Sequence, residues 1–416
     1  MSFFWRGFSR CGFFAIFCLV GYGTYRAYFY GAHDFDVFYE AWHLVLQGRG
    51  RDIYRVGPDR FLYGPGFAWL LSPLAFIPKK GALALWCLSK TLILGSLIYE
   101  LSQSWVVEWE NKFRFDRWVV WGLSAWGVMI VARPILIDFE YGQVNLWVLV
   151  ACAWGLMAHF NHQVSTRSLF FRWFLLTFAA FTKLFPLPLL VVPWFVTRGI
   201  DPKRLKVERV AVFSSFLFAF AVPFWNQGWT GMWDLLLGWR EAVLARGLPL
   251  ESHNQSFTAF LYHYFSGQPT FVLSEGGQTF TLGWAGLSIS QIQLLSMAWA
   301  LGSCGLILGW IVSGSQYWIS KSTSRWIAVL LGLLIVPSHL VWKPYFVLSV
   351  PLTIHFIQQT LLGKSKFAFG VLLLLFSMIN LTGFDFVGHT WAVYFEAGSL
   401  FLMAHLTFMA LLRDPA

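Results

Sequence analysis

Two aspartates, Asp34 and Asp36, follow an N-terminal apolar run and precede a stretch rich in aromatic residues. A carboxylate placed there can take a proton from a hydroxyl group. Further along, Arg133, Asp138, Glu140 and Gln143 fall between two apolar runs, and Lys183 lies at a tight turn between two short ones. His253, Asn254 and Gln255 occupy a long connecting segment, and His339 and Lys343 lie at another turn. Fixed cations at such positions can stabilise an anionic group. Charges near a hydrocarbon boundary are costly unless they face a cavity, so together these residues predict one polar site.

The elements that must position them are membrane helices. The chain has 416 residues, 57% hydrophobic and only 12% charged, with 43 Phe and 24 Trp. Soluble domains usually carry about 25% charged residues, and the deficit here comes with repeated apolar runs long enough to cross a bilayer. The net charge of +10 would point to nucleic acid in a soluble protein. Here the basic residues fall in short loops between apolar runs, which membrane topology explains better, and no nucleic-acid partner is expected. Cys11, Cys18, Cys87, Cys152 and Cys304 all lie in apolar segments without a CxxC, so neither a disulfide framework nor a zinc site is indicated.

The apolar runs predict spans at about 11–30, 81–103, 118–134, 142–160, 169–182, 184–197, 209–225, 283–312, 326–341, 345–362, 367–383 and 391–412, about twelve in all. The first reads as an uncleaved helix, since no small-residue cleavage site follows it. Arg6 and Arg10 place its start in the cytoplasm. Lys112, Arg114, Arg117, Arg167, the cluster Arg198/Lys203/Arg204/Lys206/Arg209, Lys321, Arg325, Lys364, Lys366 and Arg413 then fall on the same side. Lys79, Lys80 and the arginines of the first outer loop are the exceptions. Both termini are cytoplasmic in this arrangement, and two large segments, 31–80 and 226–282, lie outside.

Each outer segment carries a helical apolar pattern: Phe35, Phe38, Tyr39, Trp42, Val45 and Leu46 in the first, and Trp233, Leu236, Leu237, Val243 and Leu244 in the second. Such faces are expected in the membrane interface plane. The proline-rich piece 64–78 is too short to span and is expected as a juxtamembrane helix. With no internal repeat, low-complexity tract or soluble linker, residues 1–416 read as a single integral membrane domain.

The polar residues also have ordinary roles. Asp34 can serve as an N-cap and Asp36 as a first-turn carboxylate favoured by the helix dipole. Successive helical residues turn by about 100°, so only one of the two faces a given site. Arg133 and Lys343 can snorkel to the interface, and a lone His339 is more often structural than catalytic. Asn254-Gln255-Ser256 matches a glycosylation sequon, a short pattern that arises readily by chance.

Asp34-Phe35-Asp36-Val37-Phe38-Tyr39-Glu40-Ala41, followed by Leu46-Gln47-Gly48, Ile53-Tyr54 and Tyr63-Gly64-Pro65, resembles the polyprenol-phosphate-mannose-dependent glycosyltransferases of family 87, within the GT-C superfamily. Gly142-Gln143-Val144-Asn145, Lys183-Leu184-Phe185-Pro186, Asn254-Gln255-Ser256 and Trp342-Lys343-Pro344-Tyr345-Phe346 follow in the same order, so the resemblance runs from roughly residue 30 to 360. Gly66 stands where the family's Tyr-Pro-Pro version has a second proline.

The resemblance implies an all-α polytopic membrane protein of GT-C type, with outer-face juxtamembrane helices and a catalytic aspartate in the first outer loop. That aspartate maps best onto Asp34, with Asp36 as the fallback, and His339 is the nearest candidate for a catalytic-site histidine. Arg133, Glu140, Gln143, Lys183, Asn254, Gln255, Lys343 and Tyr345 are the candidate substrate-binding residues. The implied reaction uses no cofactor and no metal; Asp34-Phe35-Asp36 matches DxD only in letters. A polyprenyl-phosphate sugar, usually mannose, is the expected donor, and a lipid, glycan or protein hydroxyl the acceptor. The residues suit a single inverting displacement, with Asp34 as base and Lys343, Arg133 and Lys183 opposite the phosphate. The expected location is the bacterial inner membrane, among its lipids, with the site facing the periplasm.

Two other readings compete. A secondary transporter or flippase puts ionisable residues near the bilayer midplane, often within inverted repeats, whereas the acidic residues here are expected at the outer boundary. An oligosaccharide ligase has a large late outer loop, whereas these motifs lie early.

Overall fold

The computed structural model describes residues 2–55, 61–113, 117–245, 250–269, 271–272, 279–317, 323–362 and 366–411. They are helical apart from connecting turns and a two-residue antiparallel pairing of Phe271–Val272 with Thr279–Phe280.

The chain opens with α1 (Ser2–Tyr30), which turns at Gly31 into α2 (His33–Leu46). No side chain caps α2. The carbonyl of Tyr141 instead accepts the N–H groups of Asp34 and Phe35, at 3.0 and 3.2 Å, two of the donors that a first helical turn leaves over. Asp34 is therefore a first-turn residue and not the N-cap. α3 (Pro65–Leu71) starts on a proline, whose missing N–H is no loss there. A Cβ on Gly66 would come within 2.6 Å of the Ala219 carbonyl oxygen, which excludes a second proline at this position.

α4 (Lys79–Phe113), α5 (Arg117–Ile130) and α6 (Ala132–Glu140) follow, then α7 (Asn145–Phe160) and α8 (Thr166–Thr182). A 3-10 turn, Leu187–Val191, leads into the single turn α9 (Val192–Phe195) and then the long α10 (Pro202–Ala245). The remaining helices are α11 (Phe257–Phe265), α12 (Ile289–Tyr317), α13 (Thr323–Leu333), α14 (Val350–Leu362), α15 (Lys366–Asn380), α16 (Phe384–Ala397) and α17 (Leu400–Leu411).

Among the described residues four helices are long and apolar enough to cross a membrane: Arg6–Tyr30, Lys79–Gln103, Pro202–Ala245 and Ile289–Val312. Counting each of two bent pairs as one span raises this to six. The chain is a polytopic helical membrane protein, and among the described residues four to six of the expected twelve spans are helices of this length. The stretch 184–197 is broken by Pro186, Pro188 and Pro193 into a 3-10 turn and one helical turn, which no bilayer-spanning helix tolerates at that length. The run 326–341 leaves the helix at Leu333. The pair α5–α6 bends by 67°, and α15–α16 by 85°.

The described chain divides into two compact units, each assembled from separated segments: residues 1–19, 98–137 and 248–416 in one, 20–97 and 138–247 in the other. In the second unit α8 packs against both α7 and α10, while α3 lies on α2, α8 and α10. Phe38 and Trp42 of α2 are wholly buried among Tyr63, Phe67 and Trp86. The apolar face of α2 therefore meets protein, where the pattern alone predicted lipid. In the segment 64–78, Pro65–Trp69 are buried, while Leu70 and Phe76 are exposed. Past its kink at Gly228 (φ +68°), α10 keeps Trp233, Leu237 and Leu244 exposed. Arg204 donates to the carbonyls of Ala158, Asn161 and Val164 at 2.8–2.9 Å, closing the C-terminal end of α7. Buried His159 bridges Glu208 and the Val196 carbonyl.

In the first unit α5 packs on α14, where a Cβ on Gly127 would come within 2.5 Å of the Ile354 Cα. The Thr353 hydroxyl donates to the Gly127 carbonyl at 2.8 Å. Small residues of this kind let helices approach closely where lipid offers no hydrophobic drive.

Candidate active site

In the second unit, the first turn of α2, the turn that joins α6 to α7 and the end of α8 bring three of the expected residues, Asp34, Gln143 and Lys183, together. Asp34 is half-buried, and its Oδ2 accepts a hydrogen bond from Gln143 Nε2 at 2.5 Å. The amide oxygen of Gln143 faces three donors: the Tyr63 hydroxyl at 3.3 Å, Asn145 Nδ2 at 3.4 Å and Lys183 Nζ at 3.5 Å. Lys183 Nζ also donates to Asn145 Oδ1 at 2.6 Å and lies 5.5 Å from the centre of the Tyr63 ring. Gly142 makes the approach possible. Its φ of +68° is a left-handed conformation, and a Cβ there would fall 2.6 Å from that of Phe35.

The electrostatics of Asp34 follow from this setting. Burial, with a smaller push from the Asp138 charge, raises its carboxyl above the ordinary value; the charges of Lys183 and His33 and the Gln143 hydrogen bond pull the other way. Asp36 points elsewhere, as the helical turn angle requires, and pairs with Lys79 at 2.7 Å in a half-exposed position. Glu140 pairs with Arg26 at 2.7 Å.

Lys90 was not anticipated. It lies in the middle of an apolar span and is wholly buried, with Nζ 2.6 Å from Asp138 Oδ1 and also 2.6 Å from the Asp138 carbonyl oxygen. An ionisable residue inside an apolar run was the available signal; attention to helix ends alone passes over it. Tyr63 and Asn145 appeared in the sequence only within motifs, and the structure gives both polar contacts to Gln143.

The first unit holds Arg133, Asn254, Gln255, His339, Lys343 and Tyr345. Arg133 is buried just past the α5–α6 bend. It pairs with Asp385 at the start of α16 and lies over the Phe384 ring, and its N–H donates to Asn380 Oδ1 at 2.8 Å. Lys343 pairs with Glu396. Each of these two cations thus has a carboxylate that the sequence reading had not matched to it.

Asn254 and Gln255 are wholly buried and are used on the backbone. Asn254 donates to the His339 carbonyl at 3.0 Å and accepts from the N–H groups of Val341 and Ser256 at 2.9 and 3.1 Å. Gln255 donates to the Glu396 carbonyl at 2.7 Å. A wholly buried Asn254 is no glycan acceptor in this fold, so the sequon is a chance match. His339 is exposed in the turn after α13, and Tyr345 lies half-buried in the 3-10 segment Lys343–Ser349.

Sequence comparison bears on both units. The model of Glycosyltransferase family 87 matches residues 61–337, more than half of the chain. The match includes Tyr63, Lys90, Gln143 and Lys183 and begins after Asp34. No curated protein matches the chain.

Proposed function

The chain belongs to glycosyltransferase family 87, and from that premise we propose that it transfers mannose from a polyprenyl-phosphate donor to an acceptor hydroxyl at the outer face of a bacterial inner membrane, with inversion. The observation that carries the reading is the coupling of Asp34 to Lys183 through Gln143. A half-buried carboxylate with a raised pKa is a stronger base than a solvated one, and a cation held next to it suits an anionic leaving group.

In the proposed reaction Asp34 takes the proton of the acceptor hydroxyl as its oxygen attacks the anomeric carbon. The bond from that carbon to the phosphate oxygen breaks, and the polyprenyl phosphate departs as an anion opposite Lys183. One displacement inverts the centre, so a β-linked donor gives an α-linked product. A phosphate monoester leaving group is stabilised by fixed positive charge and does not demand strong protonation. The exposed apolar side chains on α10 beyond Gly228 support a membrane-embedded donor.

The test is to incubate purified protein with radiolabelled polyprenyl-phosphate mannose and a membrane lipid extract, comparing wild type with Asp34→Asn. Label entering a new product only with wild type supports donor and base together. Donor binding without transfer by wild type contradicts the reading and favours lipid transport.

A further inference from the structure

We propose that Trp86 and Lys90, one turn apart on α4, are positioning residues that hold Asp34 in place through the turn between α6 and α7. The inference rests on the proposed role of Asp34 as base. Residues four apart share one helix face, and this face grips the turn at both ends. Trp86 Nε1 donates to the Gly142 carbonyl at 2.9 Å, and Lys90 Nζ donates to the Asp138 carbonyl at 2.6 Å. That same Asp138 carbonyl accepts the Gln143 N–H at 2.9 Å.

The turn in turn fixes Asp34 by two hydrogen bonds and its neighbour Phe35 by a third. The Tyr141 carbonyl accepts the N–H groups of Asp34 and Phe35, and Gln143 donates to the Asp34 carboxylate. A displacement at Gly142 or Asp138 therefore moves both the backbone and the carboxylate of Asp34. α4 contributes no side chain to Asp34 itself in these contacts, so its effect passes through the turn.

The chemistry of Lys90 supports positioning over stability. It lies eleven residues into the span that begins at Lys79, about 16 Å along the helix axis at the usual rise. Its ammonium is 4.5 Å from the centre of the Phe139 ring, and the Lys90 and Asp138 side chains are both 0% exposed. Desolvating two charges largely offsets their attraction, so an apolar pair of similar volume is often as stable. What an apolar pair cannot do is donate to the Asp138 carbonyl.

The test uses Trp86→Phe, which keeps a ring and loses the donor, and the double variant Lys90→Met/Asp138→Asn, which removes both charges together. Two quantities are read in the full-length protein: kcat and donor KM for label transfer, and the pH at which Asp34 is half-modified by a hydrophobic carbodiimide, followed by mass spectrometry. The second does not depend on transfer. The expected result is a kcat lowered by about tenfold to a hundredfold with donor KM within about threefold. In Trp86→Phe the Asp34 midpoint should rise by roughly half a unit or more, because a loosened Gln143 no longer favours the charged form; the double variant is read on kcat and KM, since loss of the Asp138 charge by itself lowers the Asp34 carboxyl.

A wild-type midpoint in Trp86→Phe protein that melts at the wild-type temperature overturns the proposal, as does an unchanged kcat in either variant of an enzyme that transfers. If the midpoint rises but wild type transfers no label, the function reading falls and the clamp on Asp34 stands.

Discussion

The Asp34 carboxylate and the Lys183 ammonium are joined through one amide: Gln143 donates to Asp34 at 2.5 Å and meets Lys183 at 3.5 Å with its oxygen. The amide fixes which end faces which charge, because only its nitrogen can donate to the carboxylate and only its oxygen can accept from the ammonium. One side chain thereby links a carboxylate and a cation, and the Lys183 charge favours the ionised form of Asp34.

Gln143→Leu removes both ends of that link. Transfer should fall by about a hundredfold in kcat, the scale of a small misplacement of a reacting group, with a smaller change in donor KM. Steady-state kinetics with labelled donor checks this, and an unchanged kcat would show that the amide is dispensable.

The pH dependence of stability has a definite sign at Asp34. Its folded pKa is raised by burial, so its contribution favours folding below the unfolded value of about 3.9 and is lost as pH rises through the folded value. At pH 8 the ionised carboxylate is a cost, and Asp34→Asn should melt at the wild-type temperature or above. Near pH 4 that advantage should disappear. Melting curves of both proteins between pH 4 and 8 measure it; an Asp34→Asn protein less stable at pH 8 than at pH 4, relative to wild type, would contradict the burial argument.

The same shift sets the acid limb of the pH–rate profile. A base must be ionised to act, and the free protein's groups appear in kcat/KM, so kcat/KM should rise with pH through a midpoint above the ordinary value for an aspartate. Rates measured from pH 4 to 8 in one buffer series give the midpoint, and a limb complete below about pH 4 would exclude Asp34 as the titrating group.

Lys343 and Glu396 are 12% and 18% exposed, so removing one strands the other. Lys343→Met should destabilise by roughly 2–4 kcal/mol, toward the lower part of the range for breaking a buried pair. Lys343→Met/Glu396→Gln should regain most of it. If the double variant folds and transfers at the wild-type rate, Lys343 has no part in stabilising the phosphate.

Asn254→Ala removes a buried amide that serves the His339 carbonyl and the N–H groups of Val341 and Ser256. A loss of about 2–3 kcal/mol is expected from leaving such groups unsatisfied, with donor KM unchanged in protein that remains folded. A weakened donor affinity at unchanged melting temperature would instead assign Asn254 to the donor.

Part of the candidate site was legible because its residues interrupt apolar runs. Gln143 and Lys183 stand out at turns, and the helical turn angle separates Asp34 from Asp36 before any coordinates. Lys90 was missed because it lies inside a span instead of at its end. The partners Asp385 and Glu396 were illegible, since each is more than fifty residues from its cation. The surface met by α2 was hidden for a different reason. Lipid tails and protein interiors are equally apolar, so Phe38 and Trp42 look the same facing either. Composition also does not separate a full span from the broken stretch 184–197, where three prolines decide the outcome.

Gly142 narrows what change at this site can accomplish. Its left-handed backbone and the 2.6 Å clearance to Phe35 leave no side chain acceptable, whichever sugar or acceptor the enzyme handles. Any missense mutation at that codon is expected to be lost from a population without retuning the chemistry. A library built to redirect specificity should hold 142 constant and spend its diversity on Tyr63, Asn145 and the residues around Lys183.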